Sequence, residues 1–297
     1  MKLAAYLAVI GHTLIAGFTF LLAKDATSRF TALQLAWFRI TASGVLAGLV
    51  AVAGLHRRPA PSRRDLPRFA LLGLLGVAVN QTLFLLGLSL STPLHSALLY
   101  AFTPVLVLGG AVVYLRERVT LGKGAGILLA FSGVVLVLSA QGLSLAHGTL
   151  RGDLVTLVAV FAWAAYTVAG KPLLARYDAL TLTAWVFGFG ALLVLPLAPL
   201  VLRGFDPSTP GLRGWSELAY LSVMTSGVAF TLWYFALTRL EASQLAVFNN
   251  LQAPLTALLA WLFLGAVPEH EAILGGVLVL AGVTVVQLAG RPPAIRR

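Results

Sequence analysis

The chain reads as an all-α integral membrane protein, with ten transmembrane helices arranged as two inverted five-helix repeats and both termini in the cytoplasm. Three observations predict this. Hydrophobic residues make up 59% of the 297 positions and charged residues 10%, whereas soluble domains carry about a quarter charged residues. The apolar residues fall into ten runs, each near the ~20 residues that a helix needs to cross a bilayer. Finally, the second half repeats the proline and glycine spacing of the first while changing its charges.

Taken in order, the first span covers 3–23, holds His12 near its middle and leads to Lys24. No A-x-A site follows it and it has a partner in the second half, so it reads as a span rather than a signal peptide. The second, 31–54, contains Arg39 and the small-residue stretch GVLAG at 44–48. The third, 67–88, follows the turn-rich HRRPAPSRRDLP and carries Asn80, Gln81 and Phe84. The fourth, 94–115, has Tyr100 and, near mid-helix, Pro104. The fifth, 122–140, opens on GKGAG.

The sixth span, 152–170, offers Trp163 and Tyr166 and is followed by Lys171. The seventh is 180–202, and the eighth, 215–238, carries Thr231 and Tyr234 where the third has Gln81 and Phe84. The ninth, 243–264, holds Asn249, Asn250, Gln252 and Pro254, and the tenth, 270–290, contains Gly275 and Gly276. Glycine lets helix backbones approach closely in lipid, so the fifth and tenth spans offer a seam, including one for a homodimer.

Charge sets the orientation. Fifteen of the 21 basic residues fall on the side of the N-terminus, five on the other, and Arg39 alone lies inside a span. Basic loops mark the cytoplasmic side, which also accounts for the net charge of +11 without nucleic acid. A shift of about 150 residues lays Pro104 on Pro254 and Gly126 and Gly133 on Gly275 and Gly282; a shift of about 147 lays Lys24 on Lys171. The repeats are therefore 1–145 and 146–297. An odd number of spans in each inverts the second, and this explains why RERVTLGK in the first copy meets GAVPEHEA in the second.

The residues carrying a family likeness are the two lysines, LAWFR at 35–39 and TPVLVLGGAVVYLRE at 103–117. With them, nearly the whole chain resembles the EamA-type transporters of the drug/metabolite transporter superfamily. It departs from that pattern at Arg116, where the family keeps Gly, and at Ala266, where it often keeps Glu. The tryptophan usual in the first helix of a repeat is missing from copy one and present in copy two as Trp163. The resemblance implies a central cavity lined from the third, fourth, sixth, eighth and ninth helices.

Inverted repeats suggest alternating access to a midplane site. Pro104 and Pro254 each remove a helix hydrogen bond, freeing the carbonyls of Tyr100 and Asn250 at the depth where such groups line wet cavities. Buried amides and aromatics cluster around them, so the expected substrate-binding set is His12, Asn80, Gln81, Phe84, Tyr100, Trp163, Tyr166, Thr231, Tyr234, Asn250 and Gln252. Arg39 reads either as a ligand for a substrate carboxylate or as a structural charge that snorkels outward or bonds carbonyls at a helix end, with the structural role favoured. Lys24 and Lys171 read as gate residues or interfacial anchors.

No acid lies mid-span, which disfavours coupling to an ion through a buried carboxylate. With no cysteine there is no thiolate metal site or thiol nucleophile. No HExxH, GxSxG or DxxxD arrangement is present, so no catalytic residue, metal or cofactor is expected. The function predicted is a plasma-membrane carrier in the lipid bilayer exporting amino acids or related small amphipathic metabolites. The alternative is a lipid-handling or non-transport polytopic membrane protein.

Overall fold

A computed structural model of the chain describes residues 2–54, 61–140, 149–255, 258 and 270–289; they are helical, with no strand among them. The helices are α1 (Lys2–Ala26), α2 (Ala32–Gly54), α3 (Leu66–Leu90), α4 (Pro93–Tyr100, resuming as Thr103–Leu115) and α5 (Leu121–Ala140). They continue as α6 (Leu150–Ala175), α7 (Ala179–Val201), α8 (Gly211–Leu237), α9 (Ala242–Ala246, then a 3₁₀ turn Val247–Leu251) and α10 (His270–Ala289). Among the described residues nine helices are long and apolar enough to cross a membrane. The ninth expected span, 243–264, is described only as far as 255 and at 258, so its remainder, like Ala266, lies outside the described residues.

The outer surface suits hydrocarbon. On α1 the exposed residues Leu3, Leu7, Ile10, Leu14 and Leu21 recur at helical spacing and form one greasy stripe. Polar groups turn inward instead, where His12, Arg39, Asn80, Gln81 and Asn250 are all buried. This reversal of the soluble pattern is that of a multi-pass membrane protein, because lipid offers no partner to a hydrogen-bonding group.

The main helix pairs are α5 with α10, α2 with α7, α3 with α6 and α1 with α8. Exchanging the first five helices for the last five maps this set onto itself. The most extensive contact is α5 against α10. A side chain on Gly133 would sit 2.6 Å from the Gly275 carbonyl, and one on Gly282 would sit 2.5 Å from the Gly126 carbonyl. The low-numbered glycine of one helix meets the high-numbered glycine of the other, so the two run antiparallel. The glycines expected to offer an intermolecular seam are thus occupied within one chain.

Several helices depart from regular α geometry. Both α3 and α8 contain a π-helical stretch, Gly73–Val79 and Leu221–Ala229; the first ends just before Asn80 and Gln81, and the second contains Thr225 and Ser226. The chain of α4 breaks at Ala101–Phe102, and Pro104 sits in the first turn of the new segment, the position where its missing N–H costs least. At the end of α4, Arg116 adopts a left-handed conformation with φ of 57°, while the Glu117 amide closes onto the Ala111 carbonyl. Glycine is the residue that fits such a turn without strain; Arg116 holds the conformation because the next residue, Glu117, is tied down on several sides.

Gly133→Val should therefore force α5 and α10 apart. Overpacking of this kind costs roughly 1–3 kcal/mol, measurable as a lowered thermal transition of the detergent-purified protein. Gly124→Val, on the same helix with open space around it, should leave the transition within about a degree of wild type.

Candidate functional site

A cavity of about 70 Å³ lies between the helices. On one side α1 contributes His12, Ala16, Thr19 and Phe20, and α2 contributes Arg39. Asn80, Gln81 and Phe84 of α3 follow the π stretch, and Tyr100 ends the first part of α4. Trp163 of α6, Thr225 and Phe230 of α8, and Asn249 and Gln252 of α9 complete the wall. Ligand clefts commonly run to roughly 300–1,000 Å³, so this conformation is contracted around its polar centre.

The polar groups form a directed chain. Arg39 Nε donates to Ser226 Oγ at 3.0 Å, and Ser226 Oγ donates to Gln81 Oε1 at 3.4 Å. Asn80 Nδ2 donates to the Tyr100 hydroxyl at 2.9 Å and to the Ala159 carbonyl at 2.8 Å. His12 Nδ1 is 3.0 Å from the Ala229 carbonyl, the last residue of the π stretch in α8. A carbonyl can only accept, so Nδ1 carries the proton. Thr19 and Thr225 share a hydrogen bond of 2.8 Å. Arg39 is only 2% exposed, and its Nη1 is without a partner, as are Gln81 Nε2 and Asn249 Nδ2.

The helix alternation defines two faces: face I, where α1 begins, and face II, where α1 ends. Arg39 lies seven residues into α2 from its face II end at Ala32, about 10 Å deep. Toward face I the cavity is floored by stacked aromatic rings. Trp163 packs on Tyr166 at 5.3 Å, on Trp233 at 5.3 Å and on Phe230 at 5.1 Å, and Tyr166 packs on Tyr234 at 5.0 Å. Toward face II, Phe20, Phe84 and Tyr100 meet edge-on with centroids 5.4–6.0 Å apart, and Phe30, Phe38, Phe205 and Trp215 form a second aromatic cluster beyond them.

Charged clusters fasten both ends. At face II, Lys24 Nζ donates to the carbonyls of Leu88 and Ser91 at 2.9 and 3.0 Å, holding α1 to the end of α3. The Ser91 hydroxyl donates to Asp153 of α6, whose second oxygen is 2.9 Å from His95 Nδ1 of α4. At face I, Lys171 Nζ donates to the Leu240 carbonyl at 2.8 Å, just beyond the end of α8, and to Glu117 at 3.4 Å. Carbonyls at a helix C-terminus are unpaired and carry partial negative charge, so each lysine clamps a helix end. Glu117 also takes the Ala242 amide at 2.7 Å and the Ser243 hydroxyl at 2.7 Å, anchoring the start of α9, with Lys123 3.9 Å away. A second fastening at face I joins Asp65 to Arg176 and to Tyr177.

The structure brings His12, Asn80, Gln81, Phe84, Tyr100, Trp163 and Gln252 of the expected binding set to one cavity. It does not bring Thr231, whose hydroxyl bonds the Gly227 carbonyl and which lines an apolar groove at the outer surface with Ser43 and Leu46. Tyr166 and Tyr234 belong to the aromatic floor, and Asn250 is fully buried behind the wall with both amide atoms unpartnered. Arg39 neither snorkels nor caps a helix end; its Nε bonds Ser226 of α8 beside the cavity, joining α2 to α8. Sequence reasoning missed Ala16, Thr19, Phe20, Thr225, Ser226 and Phe230. Thr225 and Ser226 carry a faint signal as adjacent hydroxyls in an otherwise apolar span.

Burial works to raise the Glu117 carboxyl, but the Ser243 hydroxyl, Lys171 and the Ala242 amide outweigh it and hold it below the ordinary glutamate range. Its stabilising contribution is therefore complete above the ordinary value near 4.3 and is lost as pH falls through the lower folded value. Thermal unfolding measured across acid to neutral pH should show this limb in the wild type and a flatter one in Glu117→Gln. At neutral pH that variant should lose about 1–3 kcal/mol.

Comparison with known proteins gives this geometry its context. The EamA-like transporter family matches the chain twice, at residues 3–139 and 150–288. An Archaeoglobus fulgidus protein named as an uncharacterized transporter is 33% identical over 225 residues, 75% of this chain and 76% of its own. A Streptantibioticus cattleyicolor protein named "Probable terminal-alkyne amino-acid exporter" is 33% identical over 251 residues, 84% of this chain and 81% of its own. A crystal structure with 22% sequence identity superposes with a TM-score of 0.75, covering 97% of this chain and 96% of that one, a likeness of fold. With both halves matched and two such relatives, the chain belongs to the EamA-like transporter family.

Proposed function

We propose that this transporter exports amino acids or related small amphipathic metabolites across the cytoplasmic membrane by alternating access. The observation that carries the reading is the mid-depth cavity: polar, aromatic and framed by irregular helix segments. Irregular backbone at membrane depth persists where it lines a cavity, and π turns are frequent at functional sites.

The architecture behind it is ten spans in two inverted repeats, 1–145 and 146–297, with both termini cytoplasmic. Support comes from the self-mapping helix pairs, from π stretches 148–150 residues apart, and from lysines that clamp α3 and α8 at opposite faces. The excess of basic residues on face I makes it the cytoplasmic face. In this orientation the aromatic floor and the Glu117 cluster lie on the cytoplasmic side and the Lys24–Ser91–Asp153 cluster on the outer side, both clusters formed. Export would release the two clusters in turn, the Lys24–Ser91–Asp153 cluster to open the cavity outward and the Glu117 cluster to open it inward.

The cavity is free of carboxylates, which favours movement down a gradient or exchange over coupling to an ion. Partners are the small-molecule cargo and the bilayer itself.

Proteoliposomes loaded with a labelled metabolite panel that includes amino acids should release at least one member faster than protein-free vesicles. Trp163→Ala, which removes the centre of the floor, should slow that release about 10-fold or more, since truncating a buried aromatic costs several kcal/mol. Well-folded wild-type vesicles inert toward the whole panel would overturn the carrier reading.

A further inference from the structure

We infer that the cavity selects an organic monoanion, a carboxylate held by Arg39 and unaccompanied by an ammonium group. This rests on the carrier reading and sharpens its substrate class. Among amphipathic metabolites it points away from free amino acids, toward deaminated or N-acylated carboxylates.

The starting point is a count of donors. Arg39 is buried at membrane depth with one hydrogen bond, from Nε to Ser226, and an unpartnered Nη1. Among the described residues no carboxylate forms an ion pair with Arg39. An isolated cation at this depth is costly unless something neutralises it. The nine described acidic residues sit at helix ends and connections, so the missing counter-charge is not supplied by them.

The hydrogen-bond directions around Arg39 deepen the asymmetry. Because Ser226 Oγ accepts from Arg39, its own proton goes to Gln81 Oε1. This orients the Gln81 amide and leaves its Nε2 donor unpartnered. Asn249 Oδ1 likewise accepts from Gln252 at 3.4 Å, leaving Asn249 Nδ2 without an acceptor. Three cavity-lining residues therefore hold spare N–H groups: Arg39, which has donors alone, and Gln81 and Asn249, whose amide oxygens are already engaged. A carboxylate, with two oxygens and about four lone-pair sites, is the group that such a set lacks.

The same bookkeeping argues against the ammonium of a zwitterion. An ammonium is held by a carboxylate or by converging carbonyls, as Lys24 is, and the lining side chains supply no carboxylate. An apolar body is catered for: Phe20, Phe84, Tyr100 and Trp163 present ring surface beside the donors.

An isosteric charge series tests this without any variant. Binding of 3-phenylpropanoate, phenylalanine, 2-phenylethylamine and 3-phenylpropanamide to the detergent-purified full chain is followed by tryptophan fluorescence in chloride-free buffer. The monoanion should bind about 10-fold or more tightly than each of the other three, the margin of a charge-assisted hydrogen bond. Arg39→Gln should remove that margin, bringing the monoanion's affinity down to the level of the amide; Arg39→Lys, which keeps the charge and loses the planar fork, should restore part of it. Equal or tighter binding of the zwitterion, cation or amide overturns the inference. So does displacement of the monoanion by chloride or phosphate at matching concentration, which would make the site one for inorganic anions. Monoanion binding that depends on Arg39 but is never followed by transport in vesicles upholds the inference and sinks the carrier reading instead.

Discussion

Everything in this molecule answers to one constraint: inside a bilayer, a polar group has only the chain itself to bond. Regular helices satisfy their own backbones, which is why helix makes up almost all of what spans the membrane. The informative places are those where the helix fails. The π stretches of α3 and α8 and the break in α4 each border the one polar cavity at the centre, and the 3₁₀ turn of α9 brings Asn249 to its wall. The helix ends that open onto the faces are met by Lys24 and Lys171, which reach across to neighbouring carbonyls. Irregularity is thus concentrated where it can be solvated or where it can be clamped.

The two clamps share a design and differ in their anions. At face I, Glu117 gathers Lys171 and the start of α9. The position that echoes it in the second half is Ala266, so face II cannot use the same device. There Asp153 of α6 bonds Ser91 and His95 at the start of α4 instead. The carboxylate now comes from the neighbouring helix rather than from the helix across the symmetry axis. The two faces are thus fastened by different residues, and both fastenings are formed in this structure.

Much of the site was legible because amides and histidine are rare in lipid-facing sequence and have few reasons to be mid-span. Asn80, Gln81 and His12 declared themselves on that ground. Thr19, Thr225 and Ser226 did not, because small hydroxyls can bond their own helix backbone and occur throughout membrane spans. The misplaced residues have a common cause. Tyr234, Thr231 and Asn250 are the repeat partners of Phe84, Gln81 and Tyr100, and a repeat that inverts sends each partner to the opposite side of the midplane. Phe84, Gln81 and Tyr100 line the cavity, whereas Tyr234 packs into the aromatic floor, Asn250 is buried behind the wall and Thr231 lines a groove at the outer surface. Symmetry in the sequence marked six positions where the conformation uses three.

From the amino-acid order alone came the solvent, the number and places of the expected spans, the internal repeat and its inversion, and the family likeness. These follow from hydropathy, charge and proline spacing, quantities that are local or that recur at a fixed interval. Tertiary structure decided what no interval encodes: that Arg39 faces Ser226 rather than the surface, that the glycines of α5 and α10 meet each other, and that the lysines cap neighbouring helices. Each of those outcomes depends on which side chains from distant spans arrive at the same depth, and depth is set by the packing of the whole bundle rather than by any one of its helices.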